Sequence, residues 1–264
     1  ILNVGLGLYT TGHVRTIEEG IEEAKHSLHL GLTTINNLKK NILQDLLDNK
    51  HREVQQLKKL SFAPFKKRKK SFQQALSKNS LSIIAEIKRR SPIKGFIGEI
   101  SDPLKLAQSY VEGGADAVSI LTDEKGFGGS KEEFSSIARI FSETDIVLLR
   151  KDFIIDPIQI AESAALGADA ILLIVSVLQE KTRDFLKLCD KYCLEALVEV
   201  HTEKELNIAI EAGAQIIGVN NRNLTNFQID LSHSKTLLKK MPKNVIKISE
   251  SGIKSPQDAK NMRK

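Results

Sequence analysis

LGADAILLI (residues 166–174) is a glycine-alanine hinge followed by an unbroken apolar run, and GGADAVSIL (113–121) and AGAQIIGV (212–219) repeat the pattern on either side. Glycine closes a helix in the left-handed conformation and the residues after it enter a strand, so each copy reads as a helix-to-strand junction. Three such junctions in series predict repeated βα units. Working outward from them places strands at 82–87, 117–121, 146–149, 170–174, 195–200, 216–219 and 245–249. Helix starts follow at Asp102-Pro103, Ser130 with Glu133, Asp156-Pro157, Thr202 with Glu205, and Ser255-Pro256 with Asp258. An oxygen side chain at the N-cap, proline in the first helical position and an acid at the third are the chemistry of helix entry.

Five of these strands end abruptly in charged or polar residues: AEIKRRSP (85–92), LRKDF (149–153), LVEVHTE (197–203), GVNNR (218–222) and ISESGI (248–253). A strand buried in a parallel sheet is apolar throughout, so charge at its carboxyl end is there for a reason other than packing. In an α/β barrel that rim holds the active site. A chain of 264 residues with 41% hydrophobic content can bury one large core, and such barrels occupy about 200 to 250 residues as a single domain. An open doubly wound sheet would instead carry a glycine-rich phosphate loop after its first strand. Here that strand is followed by Lys88-Arg89-Arg90-Ser91-Pro92, and no G-x-G-x-x-G occurs. The barrel is the reading that fits. Its closure takes eight strands, and seven are legible, so the chain is expected to be truncated after strand seven with open edges at strands one and seven.

Charge and cysteine point away from other classes. The net charge of +6 and the run Lys66-Lys67-Arg68-Lys69-Lys70 come without interleaved aromatic residues or a nucleic-acid module, so a solvated face is expected and no nucleic-acid partner. The apolar start, 1–9, is too short to cross a bilayer and has no basic leader, which predicts a cytoplasmic protein with no membrane partner. Cys189 and Cys193 lie four apart on an expected helix with no second pair, so both are expected as core thiols. The histidines show no metal spacing; no metal and no cofactor is implied.

AEIKRRSPIKG, SILTDEKGFGGS, LRKDFI, EALVEVHTEKEL, GVNNRNL and ISESGI, in this order within 35–264, resemble the signature segments of the indole-3-glycerol-phosphate synthase family. The resemblance implies a (β/α)8 TIM barrel of tryptophan biosynthesis with an N-terminal helical extension. Residues 35–78 fit that extension, with Ile42, Leu46, Leu47 and Val54 recurring at helical spacing. NVGLGLYTTGHVRTIEEGIEEAKHSLHLG (3–31) resembles instead the carboxyl-terminal segment of anthranilate phosphoribosyltransferase, so residues 1–34 read as a tail from that enzyme and 35–264 as the barrel. A fusion, or two adjoining reading frames, would produce this join. An unrelated helical extension is the alternative.

The substrate implied is a small phosphorylated molecule, 1-(2-carboxyphenylamino)-1-deoxyribulose 5-phosphate. Its ring closure needs a proton at the sugar carbonyl as the aromatic carbon attacks, then loss of carbon dioxide, then loss of water. Within the resemblance, Lys151 is the expected general acid, its ammonium pushed down by apolar neighbours and other cations; a rim salt bridge with Asp152 is the plainer reading. Glu199 and Glu86 are the expected acid/base pair, each embedded in a strand where a carboxyl must be paired or protonated. Lys88, on the same barrel side as Glu86 by alternation, can hold an anion of the substrate or serve as a proton donor. Asn220 can orient a hydroxyl and Arg222 can fork onto Glu199 or the substrate carboxylate; a turn-stabilising Asn and a surface Arg are the alternatives. Ser251 and Gly252 offer backbone N–H groups for phosphate, with a hydroxyl from Ser91. Phe127 and Phe153 would wall the aromatic ring. Two competing readings are a phosphoribosylanthranilate isomerase-like barrel, which would want a Cys and Asp at strand ends, and a ligand-binding remnant without chemistry. Neither cysteine lies at an expected strand end, and the charged set is intact.

Overall fold

The computed structural model describes residues 16–62, 70–78, 80–92, 95–223 and 228–262. Residues 1–15 of the N-terminal segment and 66–69 of the basic run lie outside them. Contacts divide the chain into two compact units, Ile1–Asp45 with Leu224–Phe227, and Leu46–Asn223 with Gln228–Lys264. The first contributes the opening part of a long helix, Ile17–Leu57. The second contains the sheet and the rest of that helix.

Among the described residues, seven parallel strands form one sheet: β1 (Ile84–Ile87), β2 (Ala117–Leu121), β3 (Val147–Lys151), β4 (Ala170–Ile174), β5 (Glu195–Val200), β6 (Ile216–Asn220) and β7 (Ile246–Glu250). Each pairs with the next in sequence, and helices alternate with them. This is the α/β architecture of a TIM barrel. A short antiparallel hairpin, Arg90–Ser91 with Gly95–Phe96, follows β1.

The helix starts carry their caps. Asp102, Ser130, Asp156 and Thr202 each accept a backbone N–H from the first turn, Asp156 with Gln159 in a reciprocal capping box. Ser255 Oγ does the same for Asp258 N at 3.1 Å. Gly167 and Gly213 close their helices at φ of 103° and 89°, which a residue with a Cβ adopts only under strain.

Alternation along the strands sets the two faces of the sheet. Val118 and Ile120, Leu148, Ile171 and Leu173, Val198 and Val200, and Ile217 and Val219 pack with Phe134, Ile137, Ile160, Phe185 and Leu206 in one apolar cluster beneath the helices. The intervening positions, among them Lys151, Glu199 and Asn220, therefore project from the other face. Among the described residues no helix is long and apolar enough to cross a membrane.

Two expectations need correction here. Cys189 is a buried thiol on the helix Thr182–Lys191, and burial pushes it up to about 12. Cys193, however, is exposed, beyond the end of that helix in a left-handed turn at φ 54°, because the helix stops before reaching it. Of the basic run, Lys70 is described and is not simply solvated: its ammonium donates to the carbonyls of Phe141 and, at 2.9 Å, Ile146.

Candidate active site

The carboxyl ends of β1, β3, β5 and β7 bring four charged side chains together. Lys151, the last residue of β3, places Nζ 2.6 Å from Glu250 Oε2, 3.7 Å from Glu199 Oε2 and 3.8 Å from Glu86 Oε2. Three carboxylates from three strands thus surround one ammonium. Glu86 also accepts from Lys88 Nζ, so its two oxygens are divided between two lysines.

The electrostatics follow from this count. Burial alone would push the Lys151 ammonium down, but Glu250, Glu86 and Glu199 outweigh it and hold it above its ordinary value. This reverses the lowered value expected from the sequence, which saw neighbouring cations but not the carboxylates arriving from other strands. Nor does Lys151 pair with Asp152, which belongs to a different network. Burial raises Glu86 less than Lys151, Lys88 and Arg222 lower it, so its carboxyl sits below the usual range. Glu250 goes the other way: burial, with Glu199 and Glu86 close by, lifts it above that range despite Lys151. The cluster therefore offers a fixed cation ringed by carboxylates, a combination suited to polarising a carbonyl and exchanging protons with it.

Asn220 ends β6 directly opposite Glu250 in register, and its Oδ1 accepts from the Arg222 backbone N–H at 3.0 Å. The neighbouring Asn221 is the one that stabilises a turn. Its Nδ2 donates to the carbonyls of Glu250 and Ser251 at 2.9 and 3.0 Å, and its Oδ1 accepts from Ser234 Oγ at 2.6 Å. It thereby holds the turn in which Ser251 and Gly252 both take left-handed φ, 65° and 82°.

The remaining expected residues sit on loops leaving the same strand ends. Ser91 lies in the hairpin after β1. Phe127, at the end of the short helix after β2, and Phe153, from the loop after β3, form a tilted aromatic pair with ring centroids 6.2 Å apart. Arg90 fastens the first loop to the second, its Nη2 donating to the carbonyls of Glu124 and Lys125, each at 2.6 Å.

Behind the mouth runs a second, deeper network. Lys50, 1% exposed, reaches from the helix Ile17–Leu57 to Asp152 Oδ1 at 2.7 Å, Asp123 Oδ2 at 3.0 Å and Glu53 Oε2 at 2.8 Å. Arg150, fully buried, pairs with Asp152 and Glu162 at 3.0 and 2.8 Å. Strand alternation explains why Arg150 and Lys151, adjacent in sequence, join different networks: one faces the helices, the other the mouth. Burial raises Asp152, but Lys50 and Arg150 dominate and hold it at about 2. Asp123 caps the short helix Glu124–Phe127, so Lys50 touches both the residue after Lys151 and the turn that carries Phe127.

Glu250, Lys50 and His201 escaped the sequence reading. Glu250 was visible as the acid ending ISE at a strand terminus, two residues before a glycine already singled out. Lys50 carried a signal too, a lysine on the stripe formed by Leu46, Val54 and Leu57, which are otherwise buried apolar residues. His201 follows β5, its ring between Glu199 and Glu205 at 3.4 Å from each.

Comparison with known proteins converges on one family. The family model described as indole-3-glycerol phosphate synthase matches residues 35–264. Proteins of that name are similar to this chain: one from Thermoanaerobacter pseudethanolicus is 46% identical over 71% of each chain. One from Caldanaerobacter subterraneus is 42% identical over 82% of this chain and 86% of its own, and one from Leptospira interrogans 41% over 84% and 87%. Among solved structures, a designed porous protein cage aligns at TM-score 0.50 with 16% identity, covering 66% of this chain and 57% of its own, a likeness of fold alone.

Proposed function

The chain belongs to the indole-3-glycerol phosphate synthase family, and from that premise we propose that the carbonyl to be attacked lies against the Lys151 ammonium. The reaction is the decarboxylating ring closure of 1-(2-carboxyphenylamino)-1-deoxyribulose 5-phosphate to indole-3-glycerol phosphate, carbon dioxide and water, a step of tryptophan biosynthesis. The observation that carries the reading is the Lys151 ammonium held within 4 Å of all three carboxylates, Glu86, Glu199 and Glu250.

Lys151, kept charged by these carboxylates, polarises the carbonyl and hands it a proton as the aromatic carbon attacks. Glu199 then works on the hydroxyl so formed, as acid or base in its loss as water, while Glu86 orients Lys88 and Lys151. Lys88 and Arg222 are read as counter-ions of the substrate carboxylate or phosphate, and Asn220 as a hydrogen-bonding partner for a hydroxyl. The turn at Ser251 and Gly252 is read as a phosphate seat with Ser91 nearby, and Phe127 with Phe153 as the wall for the aromatic ring. Residues 1–34 are read as the end of an anthranilate phosphoribosyltransferase joined upstream, and the reaction is placed in the cytoplasm.

The test is Lys151→Ala assayed by the fluorescence of the indole product. Turnover should fall by about a hundredfold to ten-thousandfold while KM changes little, because a group used in the transition state affects rate more than ground-state binding. Turnover near that of the unchanged protein would move the acid's role to Lys88.

A further inference from the structure

The proton balance of this reaction does not close inside the cluster. Attack on the carbonyl puts one proton on its oxygen, dehydration puts a second there, and one proton leaves from carbon as the indole double bond forms. The carbon–carboxylate bond breaks to release carbon dioxide and leaves its electron pair with the ring. One proton per turnover must therefore enter from solvent, and Glu199, whose side chain is 3% exposed, is poorly placed to collect it directly.

Resting on the functional reading above, we propose that His201 is the relay that carries this proton from Glu205 to Glu199. Nε2 of its ring lies 3.4 Å from Glu199 Oε1 and Nδ1 lies 3.4 Å from Glu205 Oε2, so the imidazole bridges the two carboxylates. Neither ring nitrogen makes a full hydrogen bond at rest, and both are buried, which leaves each able to close onto its carboxylate as the proton moves. Glu205 is held for the task. Its Oε2 accepts the His201 backbone N–H at 2.7 Å, its own N–H is capped by Thr202 Oγ1, and its side chain, 15% exposed, is the most accessible of the three.

In the transfer, Nε2–H passes its proton to the Glu199 carboxylate and Nδ1 takes one by way of Glu205. Burial would raise the Glu205 carboxyl, but the His201 ring and backbone N–H hold it below the usual range, so that it carries a solvent proton only in passing. Exchange with solvent then returns the N–H to Nε2. The other titratable group acting on the imidazole is Glu250 from β7, while His233 meets the His201 backbone, its Nε2 2.6 Å from the carbonyl. Burial alone would favour the neutral ring, but Glu205 and Glu199, with Glu250 behind, hold its pKa above the ordinary value. The ring thus stands ready to carry charge between two acids. Because it acts through Glu199, His201 is a positioning and relay residue. A purely structural reading makes Glu205 a brace for the helix Glu203–Ala212, with His201 a bystander.

The experiment measures kcat and KM against pH for the unchanged protein, His201→Gln, Glu205→Gln and the double variant, with and without added imidazole. The relay predicts kcat lowered by at least about tenfold at neutral pH in each single variant. KM should stay within about twofold, and the double variant should be no worse than the singles. The loss should shrink at low pH, where protons are abundant, and imidazole should restore part of it in His201→Gln. An unchanged kcat in His201→Gln, or a loss that neither low pH nor imidazole relieves, would overturn the relay. Should His201→Gln fail to fold, Glu205→Gln carries the same prediction about rate and pH. An unchanged protein that makes no indole product would instead overturn the functional reading itself, whereas an active one with unaffected variants removes only the relay.

Discussion

Gly218 and Glu250 share one space at the mouth of the sheet: a Cβ on Gly218 would overlap the Glu250 carboxylate and press on Leu197 as well. The strand is bare at that point because the acid from β7 crosses it on the way to Lys151. Gly218→Ala should therefore push Glu250 away from the ammonium. A drop in kcat of tenfold or more is expected, with a stability loss of about 1 to 3 kcal/mol from overpacking. Kinetics and a urea titration on the same variant check both parts, and full activity would mean that Glu250 has room to spare.

Glu250→Gln keeps the volume and removes the nearest negative charge from Lys151. Losing that anion lets the ammonium give up its proton more readily, so the alkaline limb of the kcat profile should shift to lower pH. The pH–rate curve measures it directly. A limb that stays in place would assign that ionisation to another group.

Lys50→Met removes the cation between Asp123 and Asp152 and leaves both buried. Breaking one side of a buried ion network costs about 3 to 5 kcal/mol. Chemical unfolding followed by circular dichroism should show a loss of this size, and a loss well under 1 kcal/mol would mean that water reaches the aspartates.

Asp152 also predicts part of the acid response. Its carboxyl lies at about 2 in the folded protein against 3.8 when unperturbed. A depressed value stabilises the fold fully above the unfolded value and ceases to do so as pH falls through the folded one. About 2 kcal/mol should therefore disappear between roughly pH 4 and pH 2. Unfolding free energies across that window, compared with Asp152→Asn, should show the variant lacking this part of the slope.

The strands and helix entries were legible because their signals are local. Gly167 and Gly213 mark helix ends through backbone conformation, and Asp102, Ser130, Asp156 and Thr202 mark helix starts through hydrogen bonds within one turn. The residues lining the mouth were legible for a related reason, since Glu86, Lys151 and Glu199 interrupt runs that burial would otherwise keep apolar. What the sequence could not convey was which charges meet. Lys151 and Glu250 are 99 positions apart and come together only when the sheet curls. Counting sequence neighbours therefore gave the wrong sign for the lysine. Cys193 was misread because a helix end was set about one turn too late.

Lys50 also bears on how this barrel could be cut down or grafted by an engineer. A minimal version trimmed to start near Ile84, where the sheet begins, would look complete on a topology diagram. It would nevertheless leave two interior acids without the lysine that lies between them, Asp152 still paired with Arg150 but Asp123 stripped of its ion pair. The smallest transplantable piece is therefore set by where a counter-charge enters rather than by where the first strand starts, and it must reach upstream of residue 50.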